Sequence, residues 1–149
     1  ELRIRQQQET LKTKSFKALK GQLPWPADGR IISKFGRQWN SKLKTTTENP
    51  GIDIKGKPGS SIRTVLGGVV TTITYIRGYG TTIIVDHGGG FYTVYSHVTN
   101  IQTNVDSQVR NGDVIAYMGD SGSINGSKLH FEIWGKGQKL DPEKWLRKR

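Results

Sequence analysis

At 149 residues the chain is long enough for one compact domain with an appendage. It has no cysteine, which excludes disulfides and thiolate metal sites, and no apolar run long enough to span a bilayer. Hydrophobic residues make up only 33% and glycines number 19, favouring a β-rich, turn-rich domain over a helical bundle, while 23 basic and 12 acidic side chains leave a net charge of +11.

Leu2 to Lys20 reads as a helix. Ile4, Leu11 and Ala18 recur every seven residues, and Phe16 and Leu19 widen the apolar side. This suits either the last turns of a coiled coil or an amphipathic helix packed on the domain. Gly21 is placed to end it, and Pro24-Trp25-Pro26 forbids its continuation. The start, from Glu1 to Glu9, has neither the apolar core nor the cleavage site of a signal peptide and looks like the cut end of something longer.

After Gly29 the pattern changes to short strands punctuated by glycine. Val69 to Ile76, Thr81 to Val85, Phe91 to Tyr95, Val114 to Met118 and Leu129 to Trp134 are rich in Val, Ile, Thr and aromatics. Gly88-Gly89-Gly90 reads as the turn of a hairpin between two of them. Arg37 to Glu48 lacks strand alternation and is expected to be a mobile loop beside a groove, with the loop Asp120 to Ser127 as its opposite rim. The expected class is all-β, a two-layer antiparallel sandwich or open barrel with an N-terminal helix. Basic residues cluster at both ends, Arg3 to Lys20 and Lys136 to Arg149, with no aromatic-and-basic stripe of the kind single-stranded nucleic acids require.

Two short segments carry chemistry. They are Asn49-Pro50-Gly51-Ile52-Asp53 and Lys128-Leu129-His130-Phe131-Glu132, and between them lie Gly78-Tyr79-Gly80, Asp86-His87-Gly88, Tyr95-Ser96-His97 and Asn111-Gly112-Asp113. This ordered set, running from about Leu23 to Trp145, resembles the LytM/lysostaphin-type zinc peptidases, peptidase family M23. In that family the first segment reads His-x-Gly-x-Asp and the second His-x-His. The resemblance implies ligand positions at Asn49, Asp53 and His130, and water-orienting histidine positions at His97 and Lys128. Asn49 and Lys128 therefore stand where the family has histidine, leaving Asp53 and His130 as vestigial ligands and His97 as a catalytic remnant.

An amide is a poor substitute for imidazole on zinc, and Lys128 sets an ammonium beside the Asp53 carboxylate. With three histidines in the chain, and His87 outside the family's ligand positions, no other histidine completes the set. The expectation is thus no cofactor and no intact catalytic site, with Asn49, Asp53, Tyr95, His97, Lys128 and His130 lining a partner-binding groove.

Degenerate metal residues, a preceding helix and the ending Asp141-Pro142-Glu143-Lys144-Trp145-Leu146 resemble the EnvC-type murein hydrolase activators. The resemblance implies residues 1–21 as the end of a coiled coil or packed helix and 22–149 as a degenerate LytM domain. It also implies a periplasmic or cell-envelope location and a role in cell division: a non-catalytic regulator that binds and activates N-acetylmuramoyl-L-alanine amidases. An upstream coiled coil would reach septal division machinery, and peptidoglycan is a further partner. Two alternatives stay open, a residual zinc endopeptidase cutting peptidoglycan crosslinks and a passive wall-binding module. Zinc enters only with the first.

Overall fold

The computed structural model describes residues 16–123 and 126–149. It is built almost wholly of antiparallel strands: β1 (Arg30–Ser33), β2 (Gly36–Asn40), β3 (Thr45–Asn49), β4 (Ile52–Lys55), β5 (Ser61–Arg63), β6 (Gly68–Ile76), β7 (Gly80–Gly88), β8 (Phe91–Ser96), β9 (Val98–Thr99), β10 (Gln108–Val109), β11 (Val114–Met118), β12 (Leu129–Gly135) and β13 (Gln138–Leu140). A large sheet runs in the order β1-β4-β12-β8-β7-β6-β10, with β13 paired to β12, and a small one runs β5-β11-β9. The result is the expected all-β, open two-layer arrangement. Neither sheet closes on itself.

Alternation along the strands decides what lies between the layers. Ile52 and Ile54 of β4, Ile83 and Val85 of β7, Tyr95 of β8, and Leu129, Phe131 and Ile133 of β12 point to one face, where they meet Ile62, Ile115 and Met118 of the small sheet in one buried cluster. A buried polar line crosses this core. His87 Nε2 lies 2.7 Å from Thr93 Oγ1, which lies 2.8 Å from the Tyr95 hydroxyl. The Val65 N–H donates to that hydroxyl at 3.1 Å. Burial carries a cost for each of these groups unless it is hydrogen-bonded, and each is.

Tyr95 was expected in the groove, and here the expectation fails. Its ring is wholly buried, 5.3 Å from that of Phe131, because its parity along β8 is that of the core-facing residues. Its neighbours Ser96 and His97 are the residues of this stretch that reach the other side.

The second correction concerns Arg37 to Glu48. It is no irregular loop: β2 and β3 form a hairpin with five paired positions, from Gly36↔Asn49 to Asn40↔Thr45. The hairpin pairs with no other strand among the described residues, so both faces are wet and no hydrophobic alternation is needed. Its strand signal was the run Thr45-Thr46-Thr47, which suits a pleated backbone without burying anything.

Of the helix expected at Leu2 to Lys20, only the end falls within the described residues. Phe16 to Ala18 form a helical turn, and Gly21 follows at φ +80°. Phe16 is fully buried, its ring stacked 4.6 Å from that of Phe91 and tilted against that of Trp145 at 5.3 Å. Trp145 comes from a helical turn, Pro142–Trp145, capped by Asp141 Oδ1 accepting from the Glu143 N–H. Leu23 and Leu146 then form a parallel bridge, so the two ends of the domain are tied to each other.

Candidate functional site

Residues directly opposite in an antiparallel ladder share a face. The registers Ser33↔Asp53, Asp53↔His130, His130↔Ser96 and Ser96↔Thr82 therefore draw one polar row across β1, β4, β12, β8 and β7, on the face turned away from the core. The β4–β12 approach depends on Gly51. A Cβ there would collide with the Phe131 carbonyl oxygen, which gives the glycine between Asn49 and Asp53 its physical reason.

Above this row lies an open cleft of about 340 Å³, bordered by Asn49, Asp53, Tyr79, His97, Lys128 and His130 among others. Five of the six residues expected to line a groove thus come together, with Tyr95 the exception. Larger clefts of about 560 Å³ beside Gly67 and Asn111 and 610 Å³ beside Trp25 and Arg149 exist. Neither combines a carboxylate with an imidazole on a common sheet face, so the smaller cleft is the chemical one.

Its floor is a continuous chain of charged groups. Lys128 Nζ stands 3.6 Å from Asp53 Oδ2, His130 Nδ1 lies 2.7 Å from Asp53 Oδ1, and His130 Nε2 lies 2.8 Å from Glu132 Oε2. Glu132 Oε1 accepts from Trp134 Nε1 at 2.8 Å and lies 3.6 Å from Lys139 Nζ. Burial works against charge on His130, but hydrogen bonds to Asp53 and Glu132, and their negative charges, prevail and raise its pKa above 6.5. Burial likewise opposes ionisation of Asp53 and Glu132. The His130 hydrogen bond in each case, with the nearby positive charges and for Glu132 the Trp134 hydrogen bond, holds both below their ordinary values.

His97 is built differently. It follows β8 at φ +64°, a left-handed conformation uncommon for a residue with a side chain, and donates from Nδ1 to the Ser121 carbonyl at 2.7 Å. Burial, followed by the charges of Lys128 and His130, lowers its pKa despite that hydrogen bond. It is a neutral imidazole at pH 7, with Nε2 left to face the cleft. Asn49 is committed to the backbone: its Oδ1 accepts from the Gly51 N–H at 3.1 Å and its Nδ2 donates to Ser33 Oγ at 2.9 Å.

Zinc centres take three protein donors besides a water or substrate. The implied donor positions here supply one carboxylate, one imidazole already placed between two carboxylates, and one amide turned to the chain. Among the described residues, no group of three or more His, Cys, Asp or Glu side chains is arranged to hold a metal ion.

Glu132 and Tyr79 belong to the site and were not singled out from the sequence. Glu132 was findable, because a residue two positions after His130 in a strand lies on the same face. Tyr79 was not: its ring sits 5.0 Å from His130 only because the β6–β7 turn curls over β12. Burial and then the charges of Glu132 and Asp53 raise its pKa, so it stays a neutral phenol.

An antiparallel open sandwich with Asp53, His130 and His97 about one cleft is the arrangement expected of the LytM-type class. Residues 47–142 match the pattern of peptidase family M23, and the chain belongs to that family. It is 32% identical over 135 residues to the murein hydrolase activator EnvC of Escherichia coli (strain K12), which covers 91% of this chain and 31% of that protein. It is 36% identical over 126 residues to the murein hydrolase activator NlpD of Salmonella dublin, covering 84% of this chain and 31% of the relative. The chain therefore spans under a third of the length of both. A zinc-containing peptidase from Vibrio cholerae shares the fold, with a TM-score of 0.76 at 22% identity over 87% of this chain and 41% of that one.

Proposed function

We propose that this domain is a non-catalytic regulator: its cleft docks a segment of an N-acetylmuramoyl-L-alanine amidase and thereby activates it to split peptidoglycan in the cell envelope during division. The observation that carries the reading is the Lys128–Asp53–His130–Glu132 chain. Where a peptidase would present lone pairs to a dication, this floor sets the Lys128 ammonium against Asp53 and places His130, its pKa raised, between two carboxylates, so charge a metal would neutralise is offset within the protein. The likeness over most of the chain to two proteins named as murein hydrolase activators supports the same reading.

Activation is a population shift. The cleft must bind the amidase's released segment better than the amidase's own closed state holds it, and the coupling equals that difference. The groove residues on this reading are Asn49, Asp53, Tyr79, His97, Lys128 and His130. On this reading the domain extends from Gln22 to Arg149, and the turn of Phe16 to Ala18 before it packs through Phe16 on Phe91 and Trp145.

Lys128→Glu tests this directly, because it reverses charge at the centre of the cleft and sets a carboxylate beside Asp53. Amidase-dependent release of peptidoglycan fragments is expected to fall at least ~10-fold, with amidase binding weakened in parallel. The control is Lys148→Glu, which lies outside the cleft. Lys139 is unsuitable for that purpose, since it pairs with Glu132 and thus touches the same network. Undiminished activation by Lys128→Glu sinks the proposal.

A further inference from the structure

Arg147 and Arg149 are fastened to the domain. The Arg147 N–H donates to the Leu23 carbonyl at 2.8 Å, and the Arg147 carbonyl accepts from Trp25 Nε1 at 2.7 Å. The Arg149 guanidinium lies over the Trp25 ring, 3.8 Å from its centroid, and donates to the Gly29 carbonyl. These contacts fold residues 147–149 back against residues 23–29. Between them opens a cleft of about 610 Å³, bordered by Trp25, Arg30, Ile31, Glu143, Arg147 and Arg149 among others.

Three of these side chains are guanidiniums and one, Glu143, is a carboxylate, so positive charge dominates the cleft. That charge is unspent. Every ion pair found among the described residues involves Asp53 or Glu132, and none reaches Arg30, Arg147 or Arg149. The β1–β4 ladder adds a second sign of missing negative charge. Arg30 stands directly opposite Lys55, and like charges in that position repel. Gly29 lets the chain approach Lys55 closely at this point, since a Cβ on it would collide with the Lys55 carbonyl oxygen. Salt only screens the repulsion, whereas an anion held beside Arg30 offsets it.

The donors select the anion. A guanidinium stacked on an indole keeps its in-plane N–H groups for other partners, and its fork matches two oxygens of a carboxylate or a phosphate. A carboxylate has two oxygens and one charge to divide among three guanidiniums. A phosphate group presents oxygens on every side and, as a monoester, carries about −1.5 to −2 charge, so it can serve more than one fork at once. Because Arg149 is already held by Trp25 and Gly29, little of its freedom is left for binding to remove. We propose that this cleft is a binding site for a phosphate group, with Arg30, Arg147 and Arg149 as its donors. It shares no lining residue with the Asp53–His130 cleft and stands independently of the function proposed above.

A soluble phosphate and a lipid headgroup share this chemistry, so the experiment has two arms. In the first, inorganic phosphate is titrated into the chain at constant ionic strength with chloride as reference. The Trp25 indole N–H resonance, identified by its loss in Trp25→Phe, is followed by NMR. In the second, the chain is sedimented with phosphatidylcholine vesicles with and without phosphatidylglycerol. Both arms compare Arg147→Gln with Arg149→Gln against Lys42→Gln with Lys44→Gln, a pair that removes the same charge from the turn between β2 and β3. All four positions are exposed, so melting temperatures should match that of the parent chain. The arginine pair is expected to weaken binding by ~10-fold or more, and the lysine pair to leave it near the parental value. A loss confined to the arginine pair supports the site in whichever arm it occurs: with inorganic phosphate it marks a soluble ligand, with phosphatidylglycerol vesicles a lipid headgroup. Equal behaviour of the two pairs in both arms, whether binding is kept, weakened alike or absent from the parent chain, overturns the site.

Discussion

At the scale of single residues, His130 decides what the cleft can do. Its ring nitrogens lie 2.7 and 2.8 Å from the Asp53 and Glu132 carboxylates, and these contacts raise its pKa and so favour the imidazolium, a form with no lone pair to give. Lys128 holds the other oxygen of Asp53. Rebuilding a peptidase site thus requires a new donor and removal of a competing cation together. Asn49→His alone adds a donor beside the ammonium, and Lys128→His alone removes the ammonium without completing the donors. The two changes combined are expected to raise zinc affinity by well over the product of the single effects, ~10-fold or more beyond additivity. Titration calorimetry of the two single variants and the double variant with zinc measures it, and strictly additive behaviour refutes the coupling.

At the scale of elements, the β4–β12 pair sets the site and Gly51 sets that pair. Because a side chain at Gly51 meets the Phe131 carbonyl, which cannot move without opening the ladder, Gly51→Ala is expected to cost more than ~2 kcal/mol. Chemical denaturation reads this out. Gly59→Ala, where nothing lies within 4 Å but φ is +80°, should cost about 1 kcal/mol. Equal effects of the two changes would mean that backbone conformation, and not the close approach of β4 to β12, governs the first. The β2–β3 hairpin stands at the other extreme: it pairs with no other strand among the described residues, and Asn49 ties it to β1 through Ser33 Oγ.

At the scale of the whole molecule, buried histidines make stability depend on pH. His87 is buried against Phe16, and desolvation, prevailing over its hydrogen bond to the Gly67 carbonyl and the Asp86 charge, lowers its pKa from 6.5 to about 4. A depressed pKa means that the unfolded chain binds the extra proton first. His87's contribution is therefore complete above pH 6.5 and is lost as pH falls to about 4, a difference of roughly 3 kcal/mol. His97, also lowered, has the same sign. His130 is raised, so its contribution is complete below 6.5 and fades only as pH climbs through its folded value. Asp53 and Glu132 are lowered and lose theirs only below their ordinary values near 4. Between pH 6.5 and 4 the slope thus belongs to His87 and His97. Denaturant unfolding across that range should show falling stability, and His87→Gln should flatten most of the fall whatever it does to absolute stability. An unchanged slope in His87→Gln refutes the assignment.

The sequence by itself determined the class of fold and most of the chemistry of the cleft. Period-two alternation and glycine punctuation are local properties, so β6, β7, β8, β11 and β12 were legible before any contact was known, while the shorter strands were not. The substitutions at Asn49 and Lys128 were legible too, because the flanking Gly51, Asp53 and His130 mark their places. Tertiary structure alone decided three things. Strand parity turned Tyr95 into the core, although it lies two residues from His97. Ladder register brought Asp53 of β4 against His130 of β12, 77 positions away, and with Glu132 on its far side raised that histidine's pKa. Backbone pairing made Arg37 to Glu48 a hairpin at the rim of the cleft, an order its own residue pattern does not announce. Each depends on which groups meet across the sheet, and the free energy of a charge or an exposed ring is set by those neighbours and the water they exclude, not by the residues adjacent to it in the chain.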